Sequence, residues 1–220
     1  MATAFANIAE LQDRLGGIPA ERIRLNPPPG TATVRDLVRV LDRENRTCEL
    51  IDGVLVEKTM GYFESIVAME LAYILRRFLA TNKLGKVLGE AGTLRILADQ
   101  VRAADVAFVS WARFPQGRLP KSPVPRLVPD LAVEVLSKGN TRGEMDRKLR
   151  DYFDAGVRLV WLIDPPTRSA KSHTAADRFE PIPPNGTIDG GEVLPGFTLS
   201  LQELFDNAEA TGGECSGRTP

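Results

Sequence analysis

The sequence predicts an α/β domain in which a mixed β-sheet is flanked by helices. Three observations carry this. Residues 61–82 place a broad apolar face at helical spacing. Residues 131–136 and 157–163 are short apolar runs of the kind that become buried strands. Between them, Arg142–Ala155 is amphipathic, so residues 131–163 read as a strand–helix–strand unit.

Taken in order, residues 1–32 read as an N-terminal appendage. A short helix is expected over 4–15, followed by the stiff linker Asn26-Pro27-Pro28-Pro29-Gly30. The main domain is expected over 33–207. Thr33 opens a helix-start pattern, with Asp36 three residues on and Leu37, Val38, Val40 and Leu41 as its apolar positions. Residues 48–51 and 54–57 form a predicted hairpin around Asp52-Gly53, a dipeptide suited to positive φ. The helix over 61–82 presents Ile66, Val67, Met69, Leu71, Ile74, Leu75, Phe78 and Leu79, and ends toward Asn82 and Gly85.

Short strands follow at 86–89, 93–97 and 105–110. Residues 111–129 carry five prolines and several basic residues, and read as a long irregular loop, a feature often tied to function. After the strand at 131–136, the helix over Arg142–Ala155 is stopped by Gly156, and the strand at 157–163 by Asp164-Pro165-Pro166. Short polar strands and turns run to about residue 196. A short helix is expected over 199–205, then a disordered polar tail over 208–220.

Composition narrows the function. With 220 residues, 43% of them hydrophobic, the chain suits one large domain with a real core. A net charge of −1 gives no global basic field. That leaves a DNA enzyme open, because basic residues cluster locally and metal ions neutralise phosphates. Cys48 and Cys215 match no zinc spacing and no disulfide framework, which points to a reducing, cytoplasmic compartment. No signal peptide and no membrane span are expected, since no apolar run approaches about 18 residues. His173 is the single histidine and reads as a polar strand residue, so a His-rich metal site is excluded. Gly85, Gly89 and Gly92 do not form a phosphate-binding loop. Chemistry falls to carboxylates and lysine.

Glu134 is the anomaly. It sits inside Leu131-Ala132-Val133-Glu134-Val135-Leu136, where an ionised carboxylate is costly unless paired, protonated or bound to a metal. Alternation turns it away from Val133 and Val135, either into a cleft or, on an edge strand, into water. Asp105 opens Val106-Ala107-Phe108-Val109 and alone is an ordinary strand-start acid. Together the two acids can supply hard oxygen ligands to Mg²⁺ or Mn²⁺. Lys148 lies three residues after Met145 and four before Tyr152, so its stem follows the core edge. It either reaches a scissile phosphate or forms a surface pair with Glu144. Lys138, four residues after Glu134, is the rival lysine. Glu64 suits the positive end of its helix, and Glu49 reads as a solvated hairpin position.

Several segments in order then carry a resemblance. They are Glu49-Leu50-Ile51-Asp52-Gly53, Asp105-Val106-Ala107-Phe108-Val109, Asp130 through Ser137, Lys148-Leu149 with Tyr152, Gly156-Val157, and Val160-Trp161-Leu162-Ile163-Asp164-Pro165. Over about residues 35–205 the chain resembles the Uma-two family, described as "putative restriction endonucleases", in the PD-(D/E)XK nuclease superfamily. The resemblance implies a restriction-endonuclease-like core. It implies that Asp105 and Glu134 bind metal, with the Val135 carbonyl as a third ligand. Lys148 corresponds to the family's lysine displaced onto the helix, since Leu136 stands at the usual position two residues after the acid. Glu64 corresponds to the acid of the first core helix, and Glu49 to the hairpin acid. Ala104 stands where Pro is usual before Asp105, Cys48 where an aromatic is common, and Ser137-Lys138-Gly139 in place of Ser-Pro-Ser.

The functional expectation is a Mg²⁺- or Mn²⁺-dependent endonuclease acting on DNA as a homodimer. Arg113, Arg118, Lys121 and Arg126 of the long loop would contact backbone phosphates. The alternative is a non-catalytic interaction or nucleic-acid-binding protein that keeps the nuclease fold.

Overall fold

A computed structural model describes residues 5–210, apart from Asn45 and Met60. The helices are α1 (Ile8–Arg14), α2 (Val34–Glu44), α3 (Tyr62–Thr81), α4 (Arg142–Ala155) and α5 (Leu201–Glu209). The strands are β1 (Cys48–Ile51), β2 (Val54–Glu57), β3 (Gly85–Gly89), β4 (Leu94–Leu97), β5 (Gln100–Arg102), β6 (Val106–Ser110), β7 (Leu131–Val135), β8 (Leu159–Asp164), β9 (Ser169–Ala175), β10 (Arg178–Ile182), β11 (Thr187–Asp189) and β12 (Thr198–Ser200).

The main sheet has the order β10-β9-β8-β7-β6-β3. Only β7 and β8 run parallel, with Ala132 opposite Val160 and Glu134 opposite Leu162. That pair is joined by α4, which is the connection a parallel pair requires. Leu131, Val133 and Val135 point to one face, where Leu71 and Leu75 of α3 and Leu204 and Phe205 of α5 cover them. Ala132, Val160 and Leu162 point to the other, against Leu149 and Tyr152 of α4. The mixed sheet flanked by helices is therefore as expected, and β9 and β10 extend it beyond the short polar strands read from sequence.

A second, antiparallel sheet has the order β2-β1-β5-β4. Leu37 and Val40 of α2 pack on its Cys48, Leu50, Leu55 and Val101. The β1–β2 turn places Asp52 at φ 49° and Gly53 at φ 75°, both left-handed, as a tight hairpin requires. A side chain at Gly53 would also strike the Gly30 backbone. Strand β5 was not expected. It is three residues long and joins β4 with a register shift, too short and irregular for an alternation signal.

Residues 5–30 lie against the hairpin rather than away from it. Leu11, Leu15, Ile18 and Ile23 are buried with Ile51, Val54 and Val56. The Thr141 hydroxyl, at the start of α4, donates to the Gly16 carbonyl at 2.6 Å. Within 111–129 the chain makes two 3-10 turns, Trp111–Arg113 and Pro115–Gly117. Val124 and Leu127 then anchor it to the two cores. Of the expected tail, residues 208 and 209 complete α5, while 211–220, with Cys215, lie outside the described residues. Among the described residues no helix is long and apolar enough to cross a membrane.

Candidate active site

Glu134 occupies a central strand and is 3% exposed, so the edge-strand reading with Glu134 in water fails. It shares the α4-facing side of β7 with Ala132. Lys148 and Tyr152, one helical turn apart on α4, converge on it. Lys148 Nζ lies 2.7 Å from Glu134 Oε2, and the Tyr152 hydroxyl donates to Oε1 at 2.6 Å. The surface pair of Lys148 with Glu144 also fails. Both residues are buried, and Glu144 instead receives a two-pronged bond from Arg22, at 2.7 and 2.9 Å.

Asp105 sits just before β6, beside the end of β7. Its own N–H donates to the Val133 carbonyl at 3.0 Å. Its Oδ2 accepts the Val135 N–H at 2.6 Å, and its Oδ1 lies 2.7 Å from Lys58 Nζ. Lys58, the residue after β2, also donates to the Ala103 carbonyl at 2.5 Å. The N–H and C=O of one strand residue point to the same side. The Val135 carbonyl therefore faces the side from which Asp105 approaches.

Glu49 of β1 is the third acid, buried rather than solvated. Its Oε1 accepts the Ala103 N–H at 3.1 Å and lies 3.6 Å from Lys148 Nζ. Its Oε2 accepts from Arg102 at 2.7 Å. Arg102, from β5, also binds Asp151, one turn along α4 from Lys148. Two sheets and a helix thus meet in one buried network of alternating charge.

Burial alone would raise the Glu49 pKa, but Lys148, Arg102 and Lys58 overcome it and hold the carboxyl at about 2. Glu134 ends above the ordinary carboxylate value: burial raises it, Lys148 pulls it down, and the Asp105 and Glu49 charges push it up. Burial would lower the Lys148 pKa, yet Glu134, Glu49 and Glu144 outweigh it and raise it. Lys148 is therefore held as an ammonium among these acids. Tyr152 is held well above its usual value, first by burial and then by Glu134 and Glu49, so it acts as a hydrogen-bond donor.

The structure thus brings together Asp105, Glu134, Val135, Lys148 and Glu49. Glu64 lies at the first turn of α3, half-buried, with its carboxylate folded back over Gly61 and no hydrogen bond to the cluster. Lys138 is exposed in the turn after β7, leaving Lys148 as the lysine at Glu134. Arg113 binds Asp130 at 3.1 Å and the Gly156 carbonyl at 2.7 Å, at the opposite end of β7 from Glu134. Arg118, Lys121 and Arg126 are exposed. His173 is buried on β9 with its ring 4.9 Å from that of Phe179, away from the acids.

Sequence reasoning missed Lys58 and Arg102. Arg102 had a usable signal, a lone charge beside Val101, Ala103 and Ala104, of the same kind that drew attention to Glu134. Lys58 had none, since it follows Glu57 at a strand end among polar residues. Among the described residues no three Asp, Glu, His or Cys side chains group as a metal-binding set.

Comparison with known proteins agrees with this architecture. The structure resembles the crystal structure of "a putative nuclease belonging to DUF820" from Anabaena variabilis, with a TM-score of 0.65 and 19% identity. The match covers 74% of this chain and 92% of that one, and shows a shared fold. No curated protein matches this chain. The Uma2 family model, described as "Putative restriction endonuclease", matches residues 34–202, from the start of α2 into α5 and across every element that builds the acid–lysine cluster. The chain belongs to the Uma2 family.

Proposed function

We propose that the protein is a metal-dependent endonuclease that hydrolyses DNA phosphodiester bonds at Asp105, Glu134 and Lys148. The observation that supports it best is the convergence of two strand-end carboxylates, each with a buried ammonium on it. Such a constellation suits phosphoryl chemistry, where charge builds on non-bridging oxygens and must be met by fixed cations.

The donor set suits a hard divalent cation. Asp105, Glu134 and the Val135 carbonyl are all oxygen donors, and Mg²⁺ usually keeps several waters beside one or two carboxylates. When bound, such an ion would polarise the phosphate and lower the pKa of a bound water. Lys148, fixed by Glu134 and Glu49, would stabilise charge developing on the phosphate. Tyr152 would hold the second oxygen of Glu134 and so fix the carboxylate plane. Glu49 would keep Lys148 protonated and aimed. Arg118, Lys121 and Arg126 are available to backbone phosphates, and a homodimer would provide two sites for two strands.

One observation favours the rival reading of a non-catalytic protein that keeps the fold. All four oxygens of Asp105 and Glu134 already have protein partners. Plasmid cleavage with Mg²⁺ or Mn²⁺ separates the two. Wild type should nick supercoiled DNA, and Asp105→Ala and Lys148→Met should lose at least about a hundredfold in rate, the scale of removing one preorganised charge-stabilising group. Equal cleavage by wild type and Asp105→Ala would reject the assignment. No cleavage and no metal binding by wild type at millimolar Mn²⁺ would favour the non-catalytic reading.

A further inference from the structure

We propose that Lys58 is the resident counter-cation of the candidate metal site and sets its affinity for divalent ions. This rests on the reading of Asp105 and Glu134 as metal ligands, and adds a residue and a competition to it. Lys58 Nζ is 2.7 Å from Asp105 Oδ1, the carboxylate oxygen that the Val135 N–H leaves open. Its side chain is 6% exposed, so the contact is not a loose surface pair.

Charge leads to the same place. Asp105, Glu134, Glu49 and Asp151 are held by Lys58, Lys148 and Arg102. A divalent ion added to this set would face three fixed cations. Lys148 and Arg102 are each shared between two carboxylates, so withdrawing either would strip a cation from both. Lys58 holds one carboxylate and one backbone carbonyl, on a flexible stem. It also lines an open cleft of about 330 Å³ with Arg46, Thr47, Glu57 and Glu90. Lys58 is therefore the cation that can leave, and the cleft is where it goes. The ammonium keeps Asp105 compensated while metal is absent, and metal binding carries the cost of displacing it.

The test is Mn²⁺ titration of the full chain by calorimetry, comparing wild type with Lys58→Met, Lys58→Gln and Lys58→Arg. Removing the cation should tighten Mn²⁺ binding about tenfold in the Met and Gln variants, with Lys58→Arg at or below wild type. Glu134→Gln in the Lys58→Met background should abolish the gain. Thermal unfolding is the second readout. Without metal, Lys58→Met should melt below wild type because Asp105 is left uncompensated, and saturating Mn²⁺ should close the gap. Equal or weaker Mn²⁺ binding by both neutral variants, with wild type still binding, would overturn the role of Lys58 and leave the metal site standing. No Mn²⁺ binding by any form at millimolar concentration would overturn both. A Lys58→Met protein destabilised but not rescued by Mn²⁺ would assign Lys58 a purely structural role.

Discussion

Replacing Arg102 by Met should be among the most damaging single changes in the molecule. The guanidinium is 1% exposed and is the partner of two buried acids, Glu49 at 2.7 Å and Asp151. Methionine fills much of the volume and takes from both carboxylates the cation that hydrogen-bonds them. Breaking a buried pair in this way costs about 3–5 kcal/mol, because the partner charge stays desolvated. Domain stability is typically about 5–15 kcal/mol, so the loss is a large share of it. With a urea m-value of about 2 kcal/mol/M, the unfolding midpoint should fall by roughly 1.5–2.5 M. Urea titration followed by tryptophan fluorescence reads this directly, since Trp161 is fully buried in the main core. The decisive arm is the triple variant Arg102→Met, Glu49→Gln, Asp151→Asn. With the charges gone, most of the loss should return. A midpoint shift below about 0.5 M for the single variant, or no recovery in the triple one, would refute the account of the network as charge compensation.

Three further outcomes are expected. Lys148, Arg102 and Lys58 hold the Glu49 carboxyl below its ordinary value of 4.5 in the folded protein, so its stabilisation is present above pH 4.5 and is lost as pH falls from there toward 2. Glu134, shifted upward, opposes this because the folded state takes up its proton more readily. Glu49→Gln should therefore flatten the fall in urea midpoint between pH 5 and 2.5, and an unchanged slope would count against the assignment. Arg113→Ala should lower stability by about 1–2 kcal/mol through loss of the Asp130 and Gly156 bonds, with little effect on DNA binding. Arg118→Ala with Lys121→Ala should leave stability unchanged and reduce the salt dependence of DNA binding by about two units of slope. The reverse pattern would restore Arg113 to the phosphate-contacting group.

Local chemistry explains which parts of this structure could be read beforehand. The hairpin at 48–57 was legible to the residue because Asp52-Gly53 is one of few dipeptides that accept two positive φ angles. Helix α4 was equally legible. Its first turn is capped by the Thr141 hydroxyl on the Glu144 N–H, and its end by Gly156 at φ 92°. Glu134 and Lys148 were visible as charges in apolar company. Glu49 entered only through the resemblance, and Arg102 and Asp151 not at all, because these three come from three elements and only the pairing of β1 with β5 brings the first two together. The four basic residues of the long loop looked alike in sequence. Asp130, whose Oδ1 faces one of them, is what separates Arg113 from the rest.

The N-terminal segment carries a different lesson. Arg22 binds Glu144 on α4, the Gly139 carbonyl in the turn after β7, and the Glu57 carbonyl beside Lys58. One side chain thus ties together the helix that carries Lys148, the strand that carries Glu134 and the strand end that carries Lys58. All of this comes from residues that precede the stretch shared with the family. The stretch matched by the family and the stretch packed around the site are therefore not coextensive here. The segment is an intramolecular strut, reaching the site's helix and both strand ends from outside the matched range.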